Sequence, residues 1–582
     1  MRSINGLRNY RRKRASLVRL VSAVPTILAL TATILFVPVA ARAAVDLPNI
    51  EPVVECAALL DQDFTTVDGA PSRLDSAEVV PVEGHGDQCI VKGYVAPDVR
   101  FEVRLPVAGW TQRFLMLGCG GYCGAVNADH QINQVRQTSG CAPLHSGEFV
   151  TASTDLGHAR SASFFPDGLW ARNNPGAVVD FAYAGMHKST LVSKAVIQAY
   201  YGQPAEYHYY VGCSDGGRQG LQEAQRFPDD YDAFVIGAPT IDVVTTNTLY
   251  HAWGVRTNTG EDGGPILTAD KIPALAAAVA EECGDAGGLI QDPRACAFDP
   301  ASMICTGADT ADCLTRQQAD VVRKLWDGPV DETGAHLTPR NMPKGSELAW
   351  IKTMVPELGV SEMSHRTLGD AQWSFDFPNY MASFEGPTGI TYANMEFNRE
   401  SFDRLHELSG LYDPTNPDLG SFARSGGKMI LWTGWADPGV SPYIALNYYD
   451  TVRETMGEGA VADFLTFYTL PGVYHCGGGP QQARMDFLTP LMDWVEDGTA
   501  PDKVVVNFEQ DEVATMTRPA YPFPSQVEYD GTGDIKSEAS WRKVDLPEGL
   551  PGRFEWVGLQ NYAPGNAMWC DRDGAAFACE TR

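Results

Sequence analysis

The stretch from Tyr207 to Arg226 constrains this chain more than any other. A short apolar run, Tyr207 to Gly212, leads into Gly212-Cys213-Ser214-Asp215-Gly216, and a helix-forming segment follows from Gly216 to Arg226. A serine on a sharp strand-to-helix turn presents its hydroxyl at the edge of a sheet, and glycines on both sides relieve the crowding such a turn creates. The five-residue pattern by itself is common loop sequence. Its position between a strand and a helix is what makes Ser214 a candidate nucleophile.

The neighbouring segments extend the same grammar. Strands are predicted at 89–95, 101–105, 113–117 and 149–155, a helix over 179–200, and a further strand at Ala233–Gly237. The strand at 113–117 runs into a glycine turn, Gly118-Cys119-Gly120-Gly121-Tyr122-Cys123-Gly124, as strands that carry a site at their carboxyl edge do. Strand, turn, helix and strand in succession imply a parallel α/β sheet. Between about 240 and 426 the pattern changes to helices and long polar loops, with a capping box of Thr315 and Gln318 opening one helix. That stretch is too long for a connecting loop. Strand-like segments at 428–434, 464–470 and 503–508 and an amphipathic segment at 485–496 follow. The fold class is therefore α/β, of the α/β-hydrolase type with a large inserted lid: residues 44–240 and 426–582 as the catalytic domain, 241–425 as the insertion, and 1–43 as a leader.

A serine hydroxyl needs a base to take its proton, and the base needs an acid to hold its tautomer. The hydrolase order is Ser, then Asp or Glu, then His. Asp437 follows a strand in Gly434-Trp435-Ala436-Asp437, and His475 sits in Gly472-Val473-Tyr474-His475-Cys476-Gly477-Gly478. Taken singly, such an Asp is more often a cap, and such a His a packing residue or metal ligand. Order and position together favour the triad Ser214, Asp437 and His475. An oxyanion hole is predicted from the N–H of Asp215 and a second N–H from Gly120 or Gly121. Cys213 adjoins the proposed nucleophile and Cys476 the proposed base, so their Cα atoms are candidates for the roughly 4.4 to 6.8 Å separation of a disulfide. Two unrelated buried thiols are the alternative.

Of the 582 residues 44% are apolar and 20% charged, a balance that suits a sizeable core. Arg11 to Arg14 precede an apolar run at about 20–41 and the small-residue site Ala41-Arg42-Ala43, which predicts a cleaved export signal; an uncleaved anchor is the alternative. Losing residues 1–43 removes eight basic and no acidic side chains, taking the formal net charge from -29 to -37. Such a charge disfavours nucleic acid as a partner, and no stable membrane insertion is expected after the leader is removed. Thirteen cysteines in the exported part predict disulfides, with short-range pairs Cys283 with Cys296, Cys305 with Cys313 and Cys570 with Cys579. Cys56, Cys89, Cys119, Cys123 and Cys141 are left without assigned partners, and the odd count leaves at least one thiol unpaired within the chain.

Gly212-Cys213-Ser214-Asp215-Gly216-Gly217-Arg218, Gly434-Trp435-Ala436-Asp437 and His475-Cys476-Gly477-Gly478 resemble the tannase and feruloyl esterase family, which also includes an esterase of mono(hydroxyethyl) terephthalate. The resemblance covers nearly the whole exported part. It implies a secreted or periplasmic α/β-hydrolase with a lid, a Ser214-Asp437-His475 triad, a Cys213–Cys476 disulfide, and small aromatic ester substrates of hydroxycinnamate or gallate type, or terephthalate-type esters. No cofactor is implied for the chemistry. Family members commonly hold calcium in a lid loop between two cysteines; the corresponding piece, Cys283 to Asp292, is shorter and keeps two carboxylates, Asp285 and Asp292. These are the candidate calcium ligands, with turn capping as the alternative, because a hard cation takes six to eight oxygens. Among the lid aromatics, Trp373, Phe375, Phe377, Tyr380 and Phe384 are candidates to meet a substrate ring or to fill the lid core. A peptidase or lipase, and a non-catalytic binding protein on the same fold, are the competing classes.

Overall fold

Nine strands form one sheet in the order β1-β2-β3-β5-β4-β6-β7-β8-β9. They are β1 (Ser72–Val82), β2 (Gly86–Val95), β3 (Val99–Pro106), β4 (Arg113–Leu117), β5 (Phe149–Thr154), β6 (Tyr207–Cys213), β7 (Ala233–Gly237), β8 (Lys428–Gly434) and β9 (Leu465–Leu470). The structure is a computed structural model that describes residues 46–132, 141–160, 167–383, 387–510, 513–573 and 576–581. The leader expected at 1–43 and Phe384 lie outside the described residues. Strands β1, β2, β3 and β5 pair antiparallel, and β5, β4, β6, β7, β8 and β9 run parallel.

The parallel half is buried on both faces, as its unbroken apolar runs predict. Every residue of β4 and β7 is buried. Alternation along β4 sends Phe114 and Met116 into one apolar cluster and Leu115 and Leu117 into another. The first cluster takes Val192, Val196 and Ile197 of α1 (Gly185–Tyr201) and Leu221 of α2 (Asp215–Arg226); the second takes Leu488, Leu491 and Met492 of α6 (Leu488–Glu496). At the amino ends of the strands Arg113 meets Glu496 through two hydrogen bonds of 2.7 and 2.6 Å, and Tyr209 donates a third to the same carboxylate at 2.6 Å. A buried bidentate ion pair, with Oε1 of the carboxylate also accepting from Tyr209, fixes where α6 docks.

Between β7 and β8, the described residues contribute no strand to this sheet. They supply α3 (His251–Thr257), α4 (Arg316–Asp327), α5 (Gly369–Asp376) and further helices and helical turns, among them the 12-residue helix Ile272–Cys283. The capping box is present: Thr315 Oγ1 accepts from the Gln318 N–H at 3.2 Å, and Gln318 Oε1 accepts from the Thr315 N–H at 2.9 Å.

Several details depart from the sequence reading, among them the strands Val513–Ala520, Ser525–Tyr529, Trp541–Asp545, Met568–Asp573 and Ala576–Thr581, which pair outside the central sheet and had no predicted counterpart. The helix predicted over 179–200 is interrupted by a π-helical turn at Asp180–Ala184 before α1 begins. The edge strand β1 had no predicted counterpart, because most of its residues are exposed and its apolar spacing is weak.

Candidate active site

Ser214 occupies the turn between β6 and α2 with φ +63° and ψ −124°, a conformation that costs a non-glycine residue on the order of 1–3 kcal/mol. The surroundings hold it there. Its N–H donates to the Gly237 carbonyl at 2.9 Å, and its own carbonyl accepts from the N–H groups of Arg218 and Thr240 at 3.1 Å each. The flanking glycines answer to space: a Cβ on Gly212 would overlap the Gly216 carbonyl, and one on Gly216 would lie 3.1 Å from the carbonyl carbon of Gly118. The turn bearing Ser214 and the glycine loop after β4 therefore pack backbone against backbone.

The structure brings Ser214, Asp437 and His475 together, from the carboxyl ends of β6, β8 and β9. His475 Nε2 lies 2.7 Å from Ser214 Oγ, and His475 Nδ1 lies 2.7 Å from Asp437 Oδ2. Asp437 is fully buried. Its Oδ1 accepts from the N–H groups of Gly439 and Val440 at 2.8 and 3.0 Å, which leaves Oδ2 aimed at the imidazole. Burial opposes the charged imidazolium, yet the charge and hydrogen bond of Asp437 outweigh it and hold His475 above its ordinary value.

Asp215, Gly120 and Gly121 line the same cavity as Ser214 and His475. As the first residue of α2, Asp215 has an N–H with no carbonyl partner inside the helix. Its side chain turns away to a buried pair with Arg218 Nε at 2.5 Å; burial raises its pKa, and Arg218 pulls it back. Gln219 links the two loops: its Nε2 lies 2.6 Å from Asp215 Oδ2 and 2.9 Å from the Cys119 carbonyl, and its Oε1 accepts from the Cys119 N–H at 3.2 Å. Cys119 and Cys123 are joined by a disulfide across the glycine loop. Neither Gln219 nor this bridge follows from the sequence reading; the signals were a polar residue one turn into α2 and two cysteines bracketing a glycine turn.

The cavity measures about 760 Å³, within the range of roughly 300–1,000 Å³ for small-molecule sites. Residues between β7 and β8, among them Asn247, His251, Asp370 and Trp373, form much of its wall.

Residues 81–544 match the family described as Tannase and feruloyl esterase. The chain belongs to that family. A mono(2-hydroxyethyl) terephthalate hydrolase of Piscinibacter sakaiensis is 31% identical over 87% of this chain and 92% of its own length, and a probable feruloyl esterase of Arthroderma benhamiae is 30% identical over 74% and 80%. Feruloyl esterase B from Aspergillus oryzae superposes with a TM-score of 0.70 at 24% identity, covering 84% of this chain and all of that one. This tannase and feruloyl esterase family member is thus a carboxylic ester hydrolase on the α/β-hydrolase fold.

Six disulfides link the described residues of this family member, and Cys141 is a free, buried thiol. Cys213 and Cys476 are joined, with Cα atoms 5.8 Å apart across 263 residues, so the nucleophile turn and the His475 loop are one covalent unit. The predicted short-range pairs, Cys283–Cys296, Cys305–Cys313 and Cys570–Cys579, form as well, and Cys56 pairs with Cys89.

Asp285 and Asp292 do not form a calcium cage. Asp285 accepts from the N–H groups of Gly287 and Leu289 and from Gln291, and is ion-paired with Arg518. Asp292 caps the turn at Pro293–Ala295 and pairs with Arg294 at 2.6 Å, both side chains buried. Arginines and turn N–H groups occupy the oxygens a hard cation would need, so the turn-capping alternative describes them.

Of the five candidate aromatics at 373–384, Trp373 alone lines the cavity among the described residues. Phe375 stacks on His365 with Tyr380 at its edge, and Phe377 is fully buried against Tyr412. Those three belong to packing rather than to the cavity wall.

Proposed function

We propose that this protein is an exported serine esterase that cleaves small aromatic esters through an acyl-enzyme, with residues 241–425 acting as a lid over the catalytic domain of 44–240 and 426–582. The observation that carries the reading is the continuous Ser214-His475-Asp437 relay, 2.7 Å at each link, opening into one cavity. His475 Nε2 takes the proton as Ser214 Oγ attacks the ester carbonyl, and Asp437 holds the opposite nitrogen protonated. The carbonyl oxygen gathers charge opposite the N–H of Asp215 and of Gly120 or Gly121. The tetrahedral adduct collapses as His475 returns the proton to the departing alcohol, and water then repeats the sequence to release the acid.

Aromatic acyl groups are favoured by the cavity wall, where Trp373 offers a ring edge-on to Tyr122 at 4.7 Å, and by the names of the relatives. Hydroxycinnamate or gallate type esters are the first reading; the 31% identity to a mono(2-hydroxyethyl) terephthalate hydrolase supports terephthalate-type esters as the second. Export is supported by the basic and apolar leader sequence and by six disulfides, which persist in oxidising compartments. No helix of the described residues is long and apolar enough to cross a membrane.

Purified protein assayed on methyl ferulate, methyl gallate, mono(2-hydroxyethyl) terephthalate, p-nitrophenyl acetate and a peptide library is expected to turn over at least one aromatic ester. Hydrolysis confined to peptides, or none on any ester, would overturn this reading.

The Cys213–Cys476 bridge gives a separate prediction. Replacing both cysteines by serine removes a constraint worth about 2–4 kcal/mol in many proteins and frees the loop that aims His475. The denaturant midpoint is expected to fall, and kcat to drop more than KM rises; an unchanged kcat would show that the loop is held without the bridge.

A further inference from the structure

The cavity wall holds a second histidine and carboxylate pair that the relay does not use. His251 opens α3, and Asp370 stands one turn before Trp373 on α5. His251 Nδ1 lies 3.2 Å from Asp370 Oδ1, with side chains only 6% and 4% exposed. Both residues line the cavity that contains Ser214 and His475. The His251 ring lies within 26° of the plane of Trp373, with centroids 6.5 Å apart. Asn247, one helical turn before His251, adds a buried amide to the same wall.

Polar groups kept in a buried wall are costly unless a partner meets them. The contact lies outside hydrogen-bond geometry, so His251 Nδ1 and Asp370 Oδ2 are both buried without a hydrogen-bond partner among the described residues; the nearby carboxylate charge still favours a proton on Nδ1, and the other ring nitrogen, Nε2, is then a lone-pair acceptor. Such an atom accepts a hydrogen bond from a hydroxyl. It has nothing to offer an ether oxygen, and the adjacent Asp370 charge disfavours a carboxylate. Its place beside Trp373 puts it at the margin of a ring lying against that indole.

We propose that His251, positioned by Asp370, is a specificity-determining residue that accepts a hydrogen bond from a phenolic hydroxyl on the acyl ring, so that hydroxylated aromatic acids are selected over unsubstituted or methoxylated ones. The proposal rests on the aromatic esterase reading for its substrate class and adds to it the group that reads the ring.

The test compares kcat/KM for methyl p-coumarate, methyl cinnamate and methyl p-methoxycinnamate in the native protein, His251→Phe, His251→Leu and Asp370→Asn. The native enzyme is expected to favour the hydroxylated ester by about tenfold or more, because leaving a buried acceptor unpaired penalises the analogue that lacks the hydroxyl. In His251→Phe the ratio is expected to fall towards one. In Asp370→Asn it falls as well, since the charge that favours the proton on Nδ1 is lost and the preference for an acceptor at Nε2 goes with it; His251→Leu, which has no acceptor, serves if the phenylalanine disturbs folding by circular dichroism. Calorimetric binding of the same three esters to Ser214→Ala, with and without His251→Phe, reads the preference without turnover. A native ratio near one, or a ratio that survives in folded His251 variants, overturns the proposal, as does a preference for a ring carboxylate that His251→Phe removes. If the native protein hydrolyses none of the esters while Ser214→Ala still binds the hydroxylated one in a His251-dependent way, the esterase reading fails and this assignment stands.

Discussion

Ser214→Ala is expected to lower kcat on any ester the native protein cleaves by about 10⁶-fold, the size of loss seen when a triad nucleophile is removed from a serine hydrolase. The substitution deletes one oxygen, the one 2.7 Å from His475 Nε2. The strained turn is unaffected, because its φ of +63° is imposed by the Gly237, Arg218 and Thr240 hydrogen bonds and is no worse for alanine than for serine. The melting temperature should therefore stay within a few degrees of native, and KM should change far less than kcat. The oxyanion donors and the cavity remain, so a residual rate above the uncatalysed background is expected. A fluorophosphonate probe supplies the second measurement: it should label the native protein at one serine and leave Ser214→Ala unlabelled. Turnover within tenfold of native, or continued labelling, would mean that a different group carries the reaction.

The central sheet and the meeting of Ser214, Asp437 and His475 were legible in the sequence for a common physical reason. Parallel strands buried on both faces leave continuous apolar runs, and the segments at 113–117, 233–237 and 428–434 were read with the bounds that β4, β7 and β8 show. The turn at Ser214 was legible because backbone lies against backbone there: a Cβ at position 212 would overlap the Gly216 carbonyl, and one at 216 would be tight against Gly118. Asp437 and His475 could be placed because each follows a readable strand in the order the fold requires.

What escaped the reading depends on contacts between distant segments. Edge strand β1 pairs along only one side and leaves most of its residues exposed, so its sequence shows little alternation. Gln219 looks like an ordinary surface-compatible helix residue until the glycine loop is packed beside it. Cys119 and Cys123 stand only four residues apart, and nothing local distinguishes pairing with each other from pairing with Cys141. The aromatics between 373 and 380 share one composition and divide by orientation alone: Trp373 reaches the cavity while Phe377, four residues on, is sealed against Tyr412. His251 and Asp370 are more than a hundred residues apart, and a histidine and an aspartate at such a distance carry no sequence pattern.

Asp437→Asn should separate geometry from charge in the relay. Oδ1 of the native carboxylate is held by the N–H groups of Gly439 and Val440, so the amide oxygen of asparagine takes that position and its NH₂ group faces His475 Nδ1. That nitrogen then accepts, the proton moves to Nε2, and the imidazole presents a donor to Ser214 where it needs an acceptor. A loss of kcat of about 10⁴-fold is expected from the wrong tautomer with little change in position. The pH profile moves too. In the native protein His475 is held above the ordinary imidazole value of about 6.5 by Asp437 against the opposing effect of burial. Activity therefore rises with pH through a midpoint above that value as the base becomes neutral. Removing the carboxylate leaves burial unopposed, so the acid limb of the residual activity should shift below it. The same linkage acts on stability: the raised native value stabilises the fold at pH below the unfolded imidazole value, and that contribution is lost as pH rises through the native one. A variant that loses activity but keeps the native acid limb would show that Asp437 does not set the protonation of His475.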